Sequence, residues 1–185
     1  MKNLFLLLLT IMITACATTK TSNPVVTTPI DTPIVSGEDI NIVTVDKYTN
    51  FTQNEKTKIE QAEKKLNTML GGDCFKNFML DADLIQTNNR TNIQVVDHLK
   101  SSHVNIELII YYKYFSKVHG YTYPNVNKIW FNRKYHSGTT VCAEASNLMH
   151  ELSHKFGYGH DYKATSTRPK SVPYTLNRAV KACCI

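Results

Sequence analysis

The sequence predicts an α+β fold: a small mixed β-sheet packed on helices. Three observations predict it. A chain of 185 residues, 42% hydrophobic and 19% charged, has ordinary globular composition and the size of one domain. Stretches around residues 40–46 and 103–114 alternate apolar and polar side chains, as half-buried strands do. Others gather their apolar residues on one helical face. The same composition excludes collagen-like, coiled-coil and wholly disordered architectures.

The folded body is predicted over residues 39–185, after two segments that do not belong to it. In residues 1–15, Lys2 precedes an apolar stretch from Leu4 to Ile13 broken only by Thr10, the pattern of a secretory signal. The stretch is shorter than the ~20 residues a membrane-spanning helix needs. Ile13-Thr14-Ala15-Cys16 resembles the lipobox of bacterial lipoproteins. That resemblance implies cleavage before Cys16, acylation of Cys16, and a soluble body held at the cell envelope by lipid. An ordinary signal peptide cut near Ala17 is the alternative. Ala17 stands where Asp would imply inner-membrane retention, so the outer membrane is favoured in a Gram-negative host. Residues 16–38, with Thr27-Thr28-Pro29 and Asp31-Thr32-Pro33, read as an extended Thr/Pro-rich tether.

Along the body, Ile40, Ile42, Val43 and Val45 suggest a strand that changes face. Thr52 and Glu55 have capping-box spacing ahead of Ile59, Ala62, Leu66 and Met69, and Gly71-Gly72 provides the stop, so a helix is expected between them. Residues 75–85 fit neither pattern. A second helix is expected over Asn92–Ser101 with Ile93, Val96 and Leu99 inward. A long strand follows over His103–Tyr114, with Val104, Ile106, Leu108, Ile110 and Tyr112 on one side. Residues 120–127 read as a loop, Lys128–Arg133 as a short strand, and Thr140–Phe156 as a helix. No internal repeat is present.

The formal charge is +6, from 21 Lys+Arg against 15 Asp+Glu, and loss of Lys2 would leave +5. The surplus is spread along the chain without a basic run interleaved with aromatics, so nucleic acid is not an expected partner. An anionic wall polymer or lipid headgroup is compatible with it, but a merely solvated surface is the preferred account. Setting Cys16 aside, Cys74, Cys142, Cys183 and Cys184 form an even set, as expected of a chain in an oxidising compartment. Neighbouring Cys183 and Cys184 are poorly placed to bond each other. Cys142 is expected to join one of them and Cys74 the other, clamping the C-terminal tail. A thiolate zinc site is the weaker reading, because no C-x-x-C spacing occurs.

The chemistry is carried by His150-Glu151-Leu152-Ser153-His154-Lys155-Phe156-Gly157-Tyr158-Gly159-His160. Four residues apart on a helix, His150 and His154 share a face and can grip one divalent cation. Glu151 sits ~100° around the axis, beside the cation, where a carboxylate can take a proton from water. Gly157 can end the helix in a left-handed turn and bring His160 back as third ligand, leaving a fourth position open, as in catalytic sites. Ala145, Leu148, Met149, Leu152 and Phe156 form the apolar stripe, and His150 and His154 fall opposite with Asn147. Nothing in the sequence assigns a role to His98, His103, His119 or His136.

This pattern, H-E-x-x-H-x-x-G-x-x-H followed by Asp161, resembles the metzincin clan of zinc endopeptidases, snapalysin-like and adamalysin-like members included. The resemblance implies a zincin-like fold with an active-site helix and Zn²⁺ held by His150, His154 and His160. It makes Glu151 the general base and acid. It also implies a cleft rimmed by an edge strand that pairs with extended substrate, and Lys128–Arg133 occupies the corresponding chain position. Metzincins carry a methionine turn after the third His. No Met follows His160 here, and Ser171-Val172-Pro173-Tyr174 fills the comparable stretch. Tyr174 is therefore either a distant ligand or oxyanion donor, or a packing residue. The expected function is zinc-dependent cleavage of peptide bonds at the bacterial envelope, with a peptide or protein as substrate. A non-catalytic zinc-binding lipoprotein and a wall-peptide hydrolase are the alternatives. Retention of Glu151 speaks against the first, since metal binding alone does not need that carboxylate.

Overall fold

The computed structural model describes residues 40–184. The signal, lipobox and tether, with Cys16, lie outside the described residues. Four strands form one mixed sheet in the order β1-β2-β4-β3: β1 (Val43–Thr49), β2 (Val104–Tyr111), β3 (Gly120–Thr122) and β4 (Lys128–Asn132). β1 pairs parallel with β2, and β2 parallel with β4, while β3 runs antiparallel along β4. The helices are α1 (Gln53–Leu70), α2 (Asp73–Leu80), α3 (Asn92–Ser101), α4 (Arg133–His136), α5 (Val141–Lys155) and α6 (Val172–Cys183).

Local chemistry explains most boundaries. The face change expected in the first strand is a register shift between Val45 and Lys47, and β1 begins and ends later than the alternation suggests. Thr52 and Glu55 form the capping box of α1: Thr52 N–H donates to Glu55 Oε2 at 2.8 Å and Glu55 N–H to Thr52 Oγ1 at 3.3 Å. The buried face of α1 is Ile59, Ala62, Leu66 and Leu70, with Met69 only half-buried. Gly71 caps it, and the ambiguous stretch opens with α2, which buries Phe75 and Met79. Thr91 and Gln94 make a second capping box for α3. Its core residues are Val95, Val96 and Leu99, whereas Ile93 is 40% exposed, against the expected inward face. The β2 alternation holds for Ile106, Leu108 and Ile110, but Tyr112 lies past the strand end and is exposed.

Two elements depart from expectation in ways that shape the cleft. Residues 120–122, expected as loop, form β3, and this short strand is the sheet edge. Lys128–Arg133 therefore does not supply the edge; β4 is held between β2 and β3. Gly120 makes the pairing possible, because a Cβ there would meet Phe131 Cδ1 at 3.0 Å and the Trp130 carbonyl at 3.1 Å. The second departure is α6. Ser171 leads a Pro-containing first turn, and Val172, Leu176, Ala179, Val180 and Cys183 make one buried stripe against α5 and α2.

Both ends of α5 are fixed by polar contacts. At its start Thr140 Oγ1 accepts from Ala143 N–H, and Glu144 is buried against His136, Nδ1 to Oε1 2.9 Å, with the Thr139 hydroxyl donating to the same carboxylate. The cysteines pair as Cys74–Cys183 and Cys142–Cys184, joining the end of α6 to α2 and to α5. All four thiols are thereby consumed, which removes the thiolate zinc reading. Among the described residues no helix is long and apolar enough to cross a membrane.

Two predictions follow from these contacts. Closing loops of 109 and 42 residues, the bridges should each contribute about 2–5 kcal/mol, so Cys183→Ser or Cys142→Ser should lower the thermal midpoint accordingly in calorimetry. Burial would raise the Glu55 carboxyl, but hydrogen bonds from Arg133 (Nε to Oε1, 2.8 Å) and Thr52 override it and hold it at about 2, against the ordinary 4.5. The stabilisation is complete above the unfolded value and lost as pH falls through the folded one. The stability gap between wild type and Arg133→Ala should thus be flat above about pH 5 and close toward about pH 2 in acid titrations of unfolding.

Candidate metal centre

α5 works as a divider. Ala145, Leu148, Met149 and Leu152 are fully buried on one side, while His150, Glu151 and His154 line a cleft of about 810 Å³ on the other. Its remaining walls are β3, α6 and the segment after α5. The helix ends as the Phe156 N–H donates to the Leu152 carbonyl, Gly157 N–H to His154 and Tyr158 N–H to Ser153. Gly157 has φ +89°, a conformation costing an L-residue with a Cβ about 1–2 kcal/mol. The turn drops Tyr158 into the core at 2% exposure and returns the chain so that His160 faces the helix. A loop carrying Gln86, Asn88 and Asn89 at positive φ supports it: Asn88 Nδ2 donates to the Gly157 carbonyl and Gln86 Nε2 to Asp161 Oδ1, both at 2.9 Å.

The three imidazoles converge. Ring centroids lie 5.2 Å apart for His150 and His154, 5.2 Å for His150 and His160, and 4.9 Å for His154 and His160. One nitrogen from each falls within 4.8 Å of the others, the only such group of His, Cys, Asp or Glu among the described residues. Their hydrogen bonds decide which nitrogen is free. His154 Nδ1 donates to the Tyr158 carbonyl at 2.8 Å and His160 Nδ1 to the Asp161 carbonyl at 3.0 Å. His150 bonds the backbone of Pro173, which has no N–H and can only accept. A carbonyl acceptor fixes the proton on one ring nitrogen and leaves the other as a bare lone pair in the neutral ring. Burial, reinforced by the neighbouring rings, pushes His150 down to about 3, and burial also lowers His154. Three imidazoles with one nitrogen each turned to a common point suit a divalent cation, so the donor set fits a metal.

Glu151 is 7% exposed and makes no hydrogen bond or ion pair among the described residues. Burial pushes its carboxyl up to about 8, partly offset by the Lys155 charge. Lys155 itself donates to the carbonyls of Tyr123 and Val126 and braces the loop opposite. A buried carboxylate without a partner is costly to keep.

The predicted site residues are thus brought together, and Tyr174 with them. Its ring centroid lies 4.8 Å from His150 and 5.0 Å from His160, and the Arg168 guanidinium stands 4.9 Å above its face. The other histidines lie elsewhere: His98 contacts the Phe156 carbonyl, His103 sits at the sheet surface and His136 is paired with Glu144. His119 is the exception, since it lines the cleft while stacking on Tyr135. Sequence reasoning missed Arg168, Asn177 and Lys181, which also line it. The helix-start signal at Ser171-Val172-Pro173 was enough to find the last two. Comparison with models of protein families finds no match, and comparison with curated proteins finds none.

The geometry puts His160 in the group that could hold a metal ion. His160→Ala should lower affinity for a divalent cation, titrated by calorimetry, by more than the ~10–100-fold typical of losing an outer partner, while His103→Ala leaves it unchanged.

Proposed function

We propose that this protein is a zinc-dependent peptidase of the metzincin type, anchored to the bacterial cell envelope through acylated Cys16. The observation that carries the reading is the meeting of three imidazoles with a buried, unpaired carboxylate in one open cleft. His150, His154 and His160 would hold the cation. Bound there, Zn²⁺ would act as a Lewis acid toward a scissile carbonyl and lower the pKa of water toward ~7.

The remaining work belongs to the chain's own groups. Glu151, on the turn between the two helical ligands, accepts the proton of the attacking water and delivers it to the departing amide nitrogen. Burial alone favours the protonated acid, and the positive charge of a bound cation, added to that of Lys155, would favour the carboxylate this step needs. The edge of β3 offers unpaired backbone groups beside the cleft, where an extended peptide can add as a further strand. Tyr174, in ring contact with two of the histidines, would be the phenol that donates to the oxyanion developing on the carbonyl. The backbone carbonyls of Tyr158 and Asp161 orient His154 and His160, so this catalytic geometry is set by the main chain rather than by further side chains. Two disulfides agree with an oxidising envelope, and the tether would raise the domain above the lipid surface.

Glu151→Gln should retain one cation per chain by elemental analysis yet lose about 10²–10⁴-fold in turnover of casein or purified peptidoglycan peptides. Undiminished turnover would reject the mechanism. Cleavage of the wall peptides alone would identify the substrate as wall rather than protein.

A further inference from the structure

Tyr174, Asn177 and Lys181 stand at i, i+3 and i+7 on α6, on the face opposite its buried stripe, and all three line the cleft. This face runs along one wall of the cleft. At 1.5 Å per residue Lys181 lies about 10 Å along the helix from Tyr174, which marks the histidine end. An extended peptide advances about 3.3 Å per residue, so that separation corresponds to about three residues.

The far end of the cleft is cationic. Lys181 and His119 both line this cleft, and burial first, with the Lys181 charge adding to it, lowers the His119 imidazole. Lys117, two residues before His119, lines the same cleft. Neither Lys117 nor Lys181 has a salt bridge or hydrogen-bond partner among the described residues. Arg168 adds a third positive charge near the histidines, with its Nε buried and unpartnered. Against these, Glu151 is the only carboxylate lining the cleft. Asp161, although next to His160, is turned away and occupied by Gln86, Thr165 and Thr167. Unpaired lysines at one end of a peptide-sized groove, with no acid there to neutralise them, attract negative charge and repel positive charge.

We infer that the cleft selects acidic peptides, with Lys181, helped by Lys117 in the same lining, receiving a carboxylate side chain about three residues from the bond held at the histidines. The inference rests on the peptidase reading for its substrate class, but its geometry can be tested by binding alone. Labelled peptides carrying one Glu, Gln or Lys at each position in turn would be titrated by fluorescence anisotropy into the metal-free full-length chain and into Glu151→Gln. The Glu peptide should bind about three- to tenfold tighter than its Gln counterpart, the scale of one or two exposed ion pairs. The difference should be present at about 0.05 M salt and fade at about 0.5 M. Lys181→Glu should reverse the preference toward the Lys peptide and leave the thermal midpoint unchanged, since the side chain is exposed.

Equal binding of the three peptides, or a preference that survives Lys181→Glu, overturns the inference. Mass spectrometry of products from the zinc-loaded protein separates the two claims. Cleavage without acidic preference keeps the peptidase and removes the subsite. Acidic preference without cleavage does the reverse. Cleavage about three residues from the Glu supports both.

Discussion

The position of the third imidazole depends on a backbone conformation that only one residue type adopts without strain. Gly157, at φ +89°, lets the chain reverse within a few residues of the last helical hydrogen bond. That reversal buries Tyr158, whose carbonyl accepts a hydrogen bond from His154 Nδ1, and then presents His160 to the other two rings. One torsion thus links the helix end, the packing of Tyr158 and the tautomer of a ligand. The surrounding loop, itself strained at Gln86, Asn88 and Asn89, holds the turn from outside. Strain of this kind concentrates where geometry matters more than stability.

The helix that carries the histidines is under a second constraint. Its inner stripe is anchored in the core and its N-terminal turn in the buried His136–Glu144 pair, so it has little freedom to rotate. A helix fixed on one side displays the other side at a defined angle, which is how a spacing of four residues becomes a pair of aligned rings. α6 applies the same logic to the facing wall, burying Val172, Leu176, Ala179 and Val180 and displaying Tyr174, Asn177 and Lys181.

What could be read in advance was whatever local chemistry determines. Thr52 with Glu55 announces α1, and the burial stripe of α5 puts its histidines on the cleft side. Gly157 announces a turn because φ above zero has few other solutions. The errors arose where partners are distant in sequence. Three residues at Gly120 become a strand only because β4 pairs with them, and no three-residue pattern foretells that. The edge of the sheet was misassigned for the same reason, since strand order is set by tertiary pairing. Ile93 points outward because Val95, Val96 and Leu99 already fill the inner face of α3. α6 carries a local signal of its own, Pro173 near its start and the apolar spacing of Val172, Leu176, Ala179, Val180 and Cys183.

The vicinal cysteines at the end of α6 have a consequence for how oxidation discriminates between isomers. Residues 183 and 184 point to α2 and α5 respectively, and successive residues of a helix diverge by ~100°. Exchanging the two partners would require the terminal turn to rotate by about that angle, dragging apolar groups out of contact and swinging the lysine-bearing rim away from its opposing lip. The native crosslinking pattern is therefore selected by packing already in place, and the tail acts as a key that locks only in a correctly assembled body.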